Sequence, residues 1–154
     1  MNPEVASIMG YFYQIFPCKI YKKKVPTNIE TPSMYFPTAS DFDDSDTTTT
    51  FKTTYNLSVK LFHKDEVLAK DEAEKISNTV KRKRHLIPLL NPDGSSTGDY
   101  IRINRIETRV TDGVANIILT WDSRYLYDRH KANELKNVFV NVREGHGSGK
   151  PTNK

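Results

Sequence analysis

Cysteine is nearly absent from this chain: Cys18 is the only one in 154 residues. A single thiol closes no internal disulfide and builds no cysteine-based zinc site within one chain. Its expected place is the interior, as a buried free thiol. No run of about 18 apolar residues, the length needed to span a bilayer, is present. The first residues show neither the basic region nor the small-residue cleavage site of a signal peptide. The expectation is a soluble protein that is intracellular where it is made. Catalytic patterns are missing too. There is no G-x-S-x-G elbow and no glycine-rich phosphate loop. His63, His85, His130 and His146 stand singly, without metal-ligand spacing. The sequence therefore names no catalytic constellation, and neither an enzyme, a cofactor nor a metal is expected. The aromatic-interleaved glycine motif of RRM domains and the GXXG loop of KH domains are also absent.

What remains is polar but patterned. Charged residues are 27% and hydrophobic residues 36% of the chain, and the formal charge of +4 is too small to identify a partner by itself. The length fits one domain, expected over residues 1–143, with a flexible tail at 144–154. The most legible stretch is Asp99 to Asp128. Asp112-Gly113 predicts a two-residue type I′ turn, because both central positions need positive φ. That turn pairs Thr111 with Val114, Val110 with Ala115, Thr108 with Ile117 and Ile106 with Leu119. Ala115, Ile117, Leu119 and Trp121 then share one face. On the incoming strand the apolar set moves from odd positions (Ile101, Ile103) to even ones (Ile106, Val110), which predicts a β-bulge near Asn104 and Arg105.

Asn2-Pro3 is a helix start, and Val5, Ile8, Met9, Phe12 and Phe16 recur at helical spacing until Pro17 forbids continuation. The apolar stripe of this helix is expected to lie on a sheet. Residues 18–24 and Ser33–Pro37 read as short strands, the second at an edge because of its prolines. Residues 38–50, rich in Asp, Ser and Thr, carry no periodicity and read as a long exposed loop. From Phe51 to Leu61 strict alternation predicts a half-buried strand. A helix then begins soon after Asp65 and runs to Arg84 or a little beyond, with Ala73, Ile76, Val80 and Ile87 on one stripe and Pro88 as its limit. Residues 91–96 form a turn cluster. Val138, Val140 and Val142 suggest a last short strand.

Three surface features invite two readings each. Lys81, Arg82, Lys83 and Arg84 are either a solvated helix end that complements the dipole or a nucleic-acid patch, which Lys22–Lys24 extend if the two lie close. A small basic nucleic-acid-binding module is accordingly the alternative function. Asp41, Asp43, Asp44 and Asp46 are a solvated loop by default; the turn glycine and bidentate Glu of a calcium loop are missing. Tyr11, Tyr13, Tyr100, Tyr125 and Tyr127, with Trp121, are either half-buried core or anchors of a subunit interface.

The element order, with MYFP at Met34–Pro37, YNLSVKLFHKD at Tyr55–Asp65 and NIILTWDSRYLY at Asn116–Tyr127, resembles the tail terminator (tail completion, head-to-tail joining) proteins of long-tailed bacteriophages. The likeness covers about residues 3–127. It implies an α+β fold, an antiparallel sheet with two helices packed on one side, here with a long acidic loop and a flexible C-terminal tail. It also implies a homo-oligomeric ring, six-fold in the family, that caps the tail tube at the head-proximal end of the virion. Implied partners are the tail tube protein and the neck or head completion proteins. DNA would pass through the lumen without sequence-specific binding, no membrane would be involved, and assembly would occur in the host cytoplasm. The candidate interface is Asp41, Asp43, Asp44, Asp46, Lys81, Arg82, Lys83, Arg84, Tyr125 and Tyr127.

Overall fold

A computed structural model describes residues 2–129. Both helices begin where capping chemistry places them. The Asn2 side-chain oxygen accepts the Glu4 N–H at 2.8 Å, and Pro3 opens α1 (Pro3–Ile15), which buries Val5, Ile8, Met9 and Phe12. Asp65 accepts the Leu68 N–H at 2.8 Å and starts α2 (Glu66–Arg82), which buries Ala69, Ala73, Ile76 and Val80. Each stripe is three to four residues apart, so each helix has one apolar side and needs a sheet beneath it.

Among the described residues seven strands supply that sheet: β1 (Lys19–Tyr21), β2 (Ser33–Tyr35), β3 (Ser40–Ser45), β4 (Thr50–Phe62), β5 (Leu86–Leu90), β6 (Ser96–Thr111) and β7 (Val114–Leu126). Their order is β1-β2-β4-β7-β6-β5, and β3 pairs with β4 beside the β2 segment. The β4–β7 ladder runs antiparallel from Thr50 opposite Leu126 to Leu61 opposite Ala115. Leu57, Val59 and Leu61 of β4 enter one core with Ala115, Ile117, Leu119 and Trp121 of β7, Ile101, Ile103 and Ile106 of β6, and both helices. The class is α+β, with the helices on one side of a mainly antiparallel sheet.

The hairpin has the expected register, including Thr111 opposite Val114 and Ile106 opposite Leu119. Asp112 (φ 52°) and Gly113 (φ 76°) have the two positive φ values of the type I′ turn. The register shifts between Ile103 and Arg105, which keeps Ile101, Ile103 and Ile106 on the buried face. The bulge also frees Asn104, whose Nδ2 donates to Asp122 Oδ2 at 2.8 Å.

Several expectations need correction. Residues 38–50 are not one loop, because Ser40–Ser45 forms β3, paired with Asn56–Phe51 of β4. Asp and Ser are poor strand formers, but here the partner strand supplies the ladder and the side chains remain in water. Strand β2 is not an edge; it lies between β1, to which it is parallel, and β4, and Pro37 falls beyond its end. Helix α2 stops at Arg82, and Ile87 belongs to β5, with Pro88 inside the strand. As the last strand in the order among the described residues, β5 tolerates a missing N–H. Hairpin strand β6 starts at Ser96, inside the expected turn cluster. Cys18 is half-buried, and burial raises its thiol pKa to about 11, outweighing a hydrogen bond to the Met34 backbone, so it stays protonated and unreactive near neutrality. The expected strand at Val138–Val142 and the tail at 144–154 lie outside the described residues.

A Cβ at Gly113 would meet nothing within 4 Å, so any substitution cost there is purely one of backbone conformation. Gly113→Val should lower stability by about 1–3 kcal/mol, read as a fall in Tm in a thermal melt. An unchanged Tm would show that the turn does not hold positive φ at this residue.

Candidate assembly interface

The acidic residues and the C-terminal tyrosines, distant in sequence, meet at one end of the sheet. Asp41, Asp43 and Asp44 pair across the ladder with Tyr55, Thr53 and Lys52. Thr53 Oγ1 donates to Asp43 Oδ1 at 3.1 Å. Asp46 lies just past β3, where it accepts from Arg124 Nε at 2.9 Å and from Thr50 Oγ1 at 3.1 Å. Behind these carboxylates the Phe51 ring packs against Tyr125 and Tyr127, with centroids 5.4 and 5.3 Å away. The hydroxyls of Tyr55 and Tyr125 are 2.9 Å apart, and Tyr55 stacks on the buried Trp121. Burial raises the Tyr55 pKa, and the hydrogen bond with Tyr125 adds to the effect, so Tyr55 stays neutral. Asp43, Asp44, Ser45, Phe51 and Tyr127 line a shallow open cavity. Phe42 (63% exposed), Leu126 (76%) and Tyr127 (45%) leave apolar area in water beside the carboxylates.

Phe42, Phe51, Tyr55 and Leu126 were not among the residues sequence reasoning selected. The alternation of Phe51 and Tyr55 was visible, but their acidic neighbours became visible only once β3 was seen to pair with β4. Of the other aromatics, Trp121 is fully buried, Tyr11 is half-buried, and Tyr13 and Tyr100 are exposed away from this cluster.

The basic residues stand elsewhere. Arg84 N–H donates to the Lys81 carbonyl at 3.1 Å and His85 N–H to the Val80 carbonyl at 2.9 Å, the two bonds of a Schellman ending. Arg84 and His85 both take φ 61°, although neither is glycine. Each carries the left-handed penalty of an L-residue. Lys81, Arg82, Lys83 and Arg84 are all exposed, and among the described residues none forms an ion pair with a carboxylate. The Ile103 N–H donates to the His85 carbonyl at 2.8 Å, which ties this turn to β6. The strand order thus puts the basic turn on the β5–β6 side and the acidic strand outside β4 on the other. Lys22–Lys24 follow β1, at the opposite end of the order from β5, and so do not extend the basic turn; Lys22 lines a cavity with Asp41 and Tyr55. Among the described residues no three His, Cys, Asp or Glu side chains group as a metal site.

Comparison with known proteins decides the family. The family model described as phage tail terminator protein matches residues 5–134. This chain belongs to the phage tail terminator family. It is 50% identical over 129 residues to the uncharacterized protein YqbJ of Bacillus subtilis (strain 168), covering 84% of this chain and 89% of the relative. It is 43% identical over 142 residues to the phage-like element PBSX protein XkdJ of the same organism, covering 92% and 97%. A chain from the virion of a native gene transfer agent particle matches 80% of this chain and 94% of its own length, at 11% identity and a TM-score of 0.48. Family membership makes this a structural protein of the phage tail and a component of the virion, one that assembles with other virion proteins; the terminator family is not an enzyme family.

Two measurements test the local physics. Arg84→Gly should raise stability by about 0.5–1 kcal/mol in denaturant titrations, because glycine takes left-handed φ without a Cβ penalty. Arg82→Gln and Lys83→Gln should each change it by no more than about 0.5 kcal/mol. The second test uses Asp122, whose carboxylate is partly desolvated but accepts from Thr54 and Asn104 and faces Lys52 and Arg124; the net effect lowers its pKa. A lowered folded pKa contributes stability above the unfolded value of about 3.9, and that contribution is lost as pH falls through the folded value. Asp122→Asn should therefore flatten the acid limb of the stability profile below about pH 4. An unchanged acid limb would show that Asp122 titrates alike in the folded and unfolded chain.

Proposed function

We propose that this protein ends the phage tail as a ring of identical subunits, six in number as the family resemblance implies. The ring caps the tail tube, stops its polymerisation and joins the tail to neck or head completion proteins at the head-proximal end. Subunits assemble in the host cytoplasm, and DNA passes through the lumen without sequence-specific contacts. Family membership supports the terminator role. The observation that carries the ring reading is the separation of charge, with an acidic, aromatic surface at β3 and the end of β7 and an exposed basic turn after α2 on the other side of the sheet order.

Unlike surfaces on different sides of one subunit make head-to-tail contacts, and these generate a ring when the rotation per subunit closes. A two-fold contact would instead set each patch against itself, with like charges facing. In the ring, Asp41, Asp43, Asp44 and Asp46 with Tyr125 and Tyr127 face the Lys81–Arg84 turn of the next subunit. The tyrosines supply apolar area at low entropic cost, while the charges set register and partner choice. Asp43 and Asp46 already accept side-chain hydrogen bonds within the subunit and Asp44 accepts the Ser45 N–H, so Asp41 has the most capacity for an outside cation.

Replacing Asp41, Asp43 and Asp44 by Asn should leave the monomer folded by circular dichroism yet reduce the ring population in native mass measurements. Lys81→Glu with Arg84→Glu should do the same from the other side, and phage made with either variant should show unjoined heads and tails of irregular length. Normal rings and virions from both would sink this charge contact, and normal virions from a complete deletion would sink the terminator role. Salt-dependent DNA binding lost in the Lys81→Glu, Arg84→Glu variant would instead favour a nucleic-acid-binding module.

A further inference from the structure

Strand β3 pairs with β4 along one edge only; among the described residues nothing pairs with its other edge. All six residues from Ser40 to Ser45 are exposed, so alternate backbone N–H and C=O groups point into water along a strand long enough to template another. An open edge of this kind is an invitation to pairing that proteins normally cover or guard. Here the guard is selective. Asp41, Asp43, Asp44 and Asp46 occur in a stretch with no Lys or Arg from residue 38 to 50. Two copies of β3 laid together would set carboxylate against carboxylate, which is unfavourable for directly opposed like charges. Phe42, 63% exposed, nevertheless offers a large apolar contact on the same strand. The edge therefore suits an extended segment that brings apolar side chains between basic ones.

The chain contains such a segment beyond its described part. Residues 136–143 read Lys-Asn-Val-Phe-Val-Asn-Val-Arg, with Val138, Val140 and Val142 in strand alternation and cations at both ends. From Arg129 onward the bases Arg129, Lys131, Lys136, Arg143, Lys150 and Lys154 face only Glu134 and Glu144 as acids. The exit point is also suitable. The Tyr127 N–H donates to the Thr49 carbonyl at 2.8 Å, which anchors the chain at the β3–β4 turn as it leaves β7. To reach its own β3 the segment would have to round that turn and reverse direction. Continuing outward, the eight residues from 128 to 135 reach about 27 Å, enough to meet a second subunit.

We infer that residues 136–143 of one copy add to the free edge of β3 in the next copy as an additional strand. This rests on the ring reading above and deepens it, since it names the segment that links neighbours. The backbone ladder supplies affinity, Phe42 gains an apolar neighbour, and Lys136 and Arg143 meet the carboxylates of β3. An exchange from each subunit to the next repeats around a closed ring and leaves no β3 edge open.

The test uses full-length protein in a Cys18→Ser background. One variant carries Ser45→Cys, a second carries Asn141→Cys, and a third carries both. A short bis-maleimide reagent is applied to the mixture of the first two and to the third alone, while the mass of untreated protein is measured separately. The expected result is a covalent dimer in the mixture and a ladder of multimers from the double variant. Both should fall to background when Val140→Pro removes a ladder N–H, and amide hydrogen exchange at residues 40–45 should then accelerate. A ring that yields no product between copies overturns the strand exchange and leaves the ring reading standing. A double variant that cross-links only within one chain, without gain in mass, also overturns it, because the strand then covers its own subunit's edge. A protein that stays monomeric and shows no product between copies overturns both readings.

Discussion

The β4–β7 ladder is the contact on which the rest of this molecule depends. It joins Thr50–Leu61 to Leu126–Ala115 without a register break. One half of it, from Leu57 opposite Leu119 to Leu61 opposite Ala115, lies under the helices and supplies the central core. Fully burying side chains of this size is worth about 1.5–3 kcal/mol each before entropy is counted. The other half, from Phe51 opposite Tyr125 to Tyr55 opposite Trp121, reaches the exposed acidic and aromatic end. A single ladder thus carries both stability and the candidate interface, and it passes from one role to the other at Trp121, which is buried but stacks on the half-exposed Tyr55.

That continuity explains how a surface without a dense core of its own can be presented in a defined shape. The carboxylates of β3 are held by cross-strand pairs, not by burial, and Asp46 just past the strand is held by Arg124. Exposed pairs of this sort contribute little to stability, about 0–1 kcal/mol, so their value lies in fixing where the charges stand. The basic turn is held differently. Arg84 and His85 accept left-handed backbone because the Schellman bonds, and the bond from Ile103 to the His85 carbonyl, leave the chain no cheaper course into β5. In the proposed ring, placing opposite charges on different sides of the subunit would serve recognition more than the fold.

The elements legible in the sequence were those decided by local chemistry. Asn2-Pro3 and Asp65 announced the two helix starts, since each cap needs only a side-chain oxygen and the N–H groups two or three residues on. Asp112-Gly113 announced the hairpin and its register, and the shift of apolar positions around Asn104 announced the bulge. The family resemblance also rested on local patterns, and the match to the terminator family over residues 5–134 agrees with it. Members of the candidate interface could be named, but not which of them would meet.

What only the tertiary structure decided depends on partners distant in the chain. The Asp and Ser residues that dominate SDFDDS disfavour a strand; Ser40–Ser45 becomes one because β4 offers it an unpaired edge. Leu86–Leu90 continued the apolar rhythm of α2, and only its pairing with β6 shows that the helix has already ended. The meeting of Asp43 and Asp44 with Phe51 and Tyr127, and the separation of all of these from Lys81–Arg84, follow from strand order, which joins residues some seventy positions apart. Caps, turns and periodicity are short-range properties that a single sequence states by itself. The identity of a strand's neighbour is set by competition for the core and for open edges across the whole chain, and so it appears only when the chain is folded.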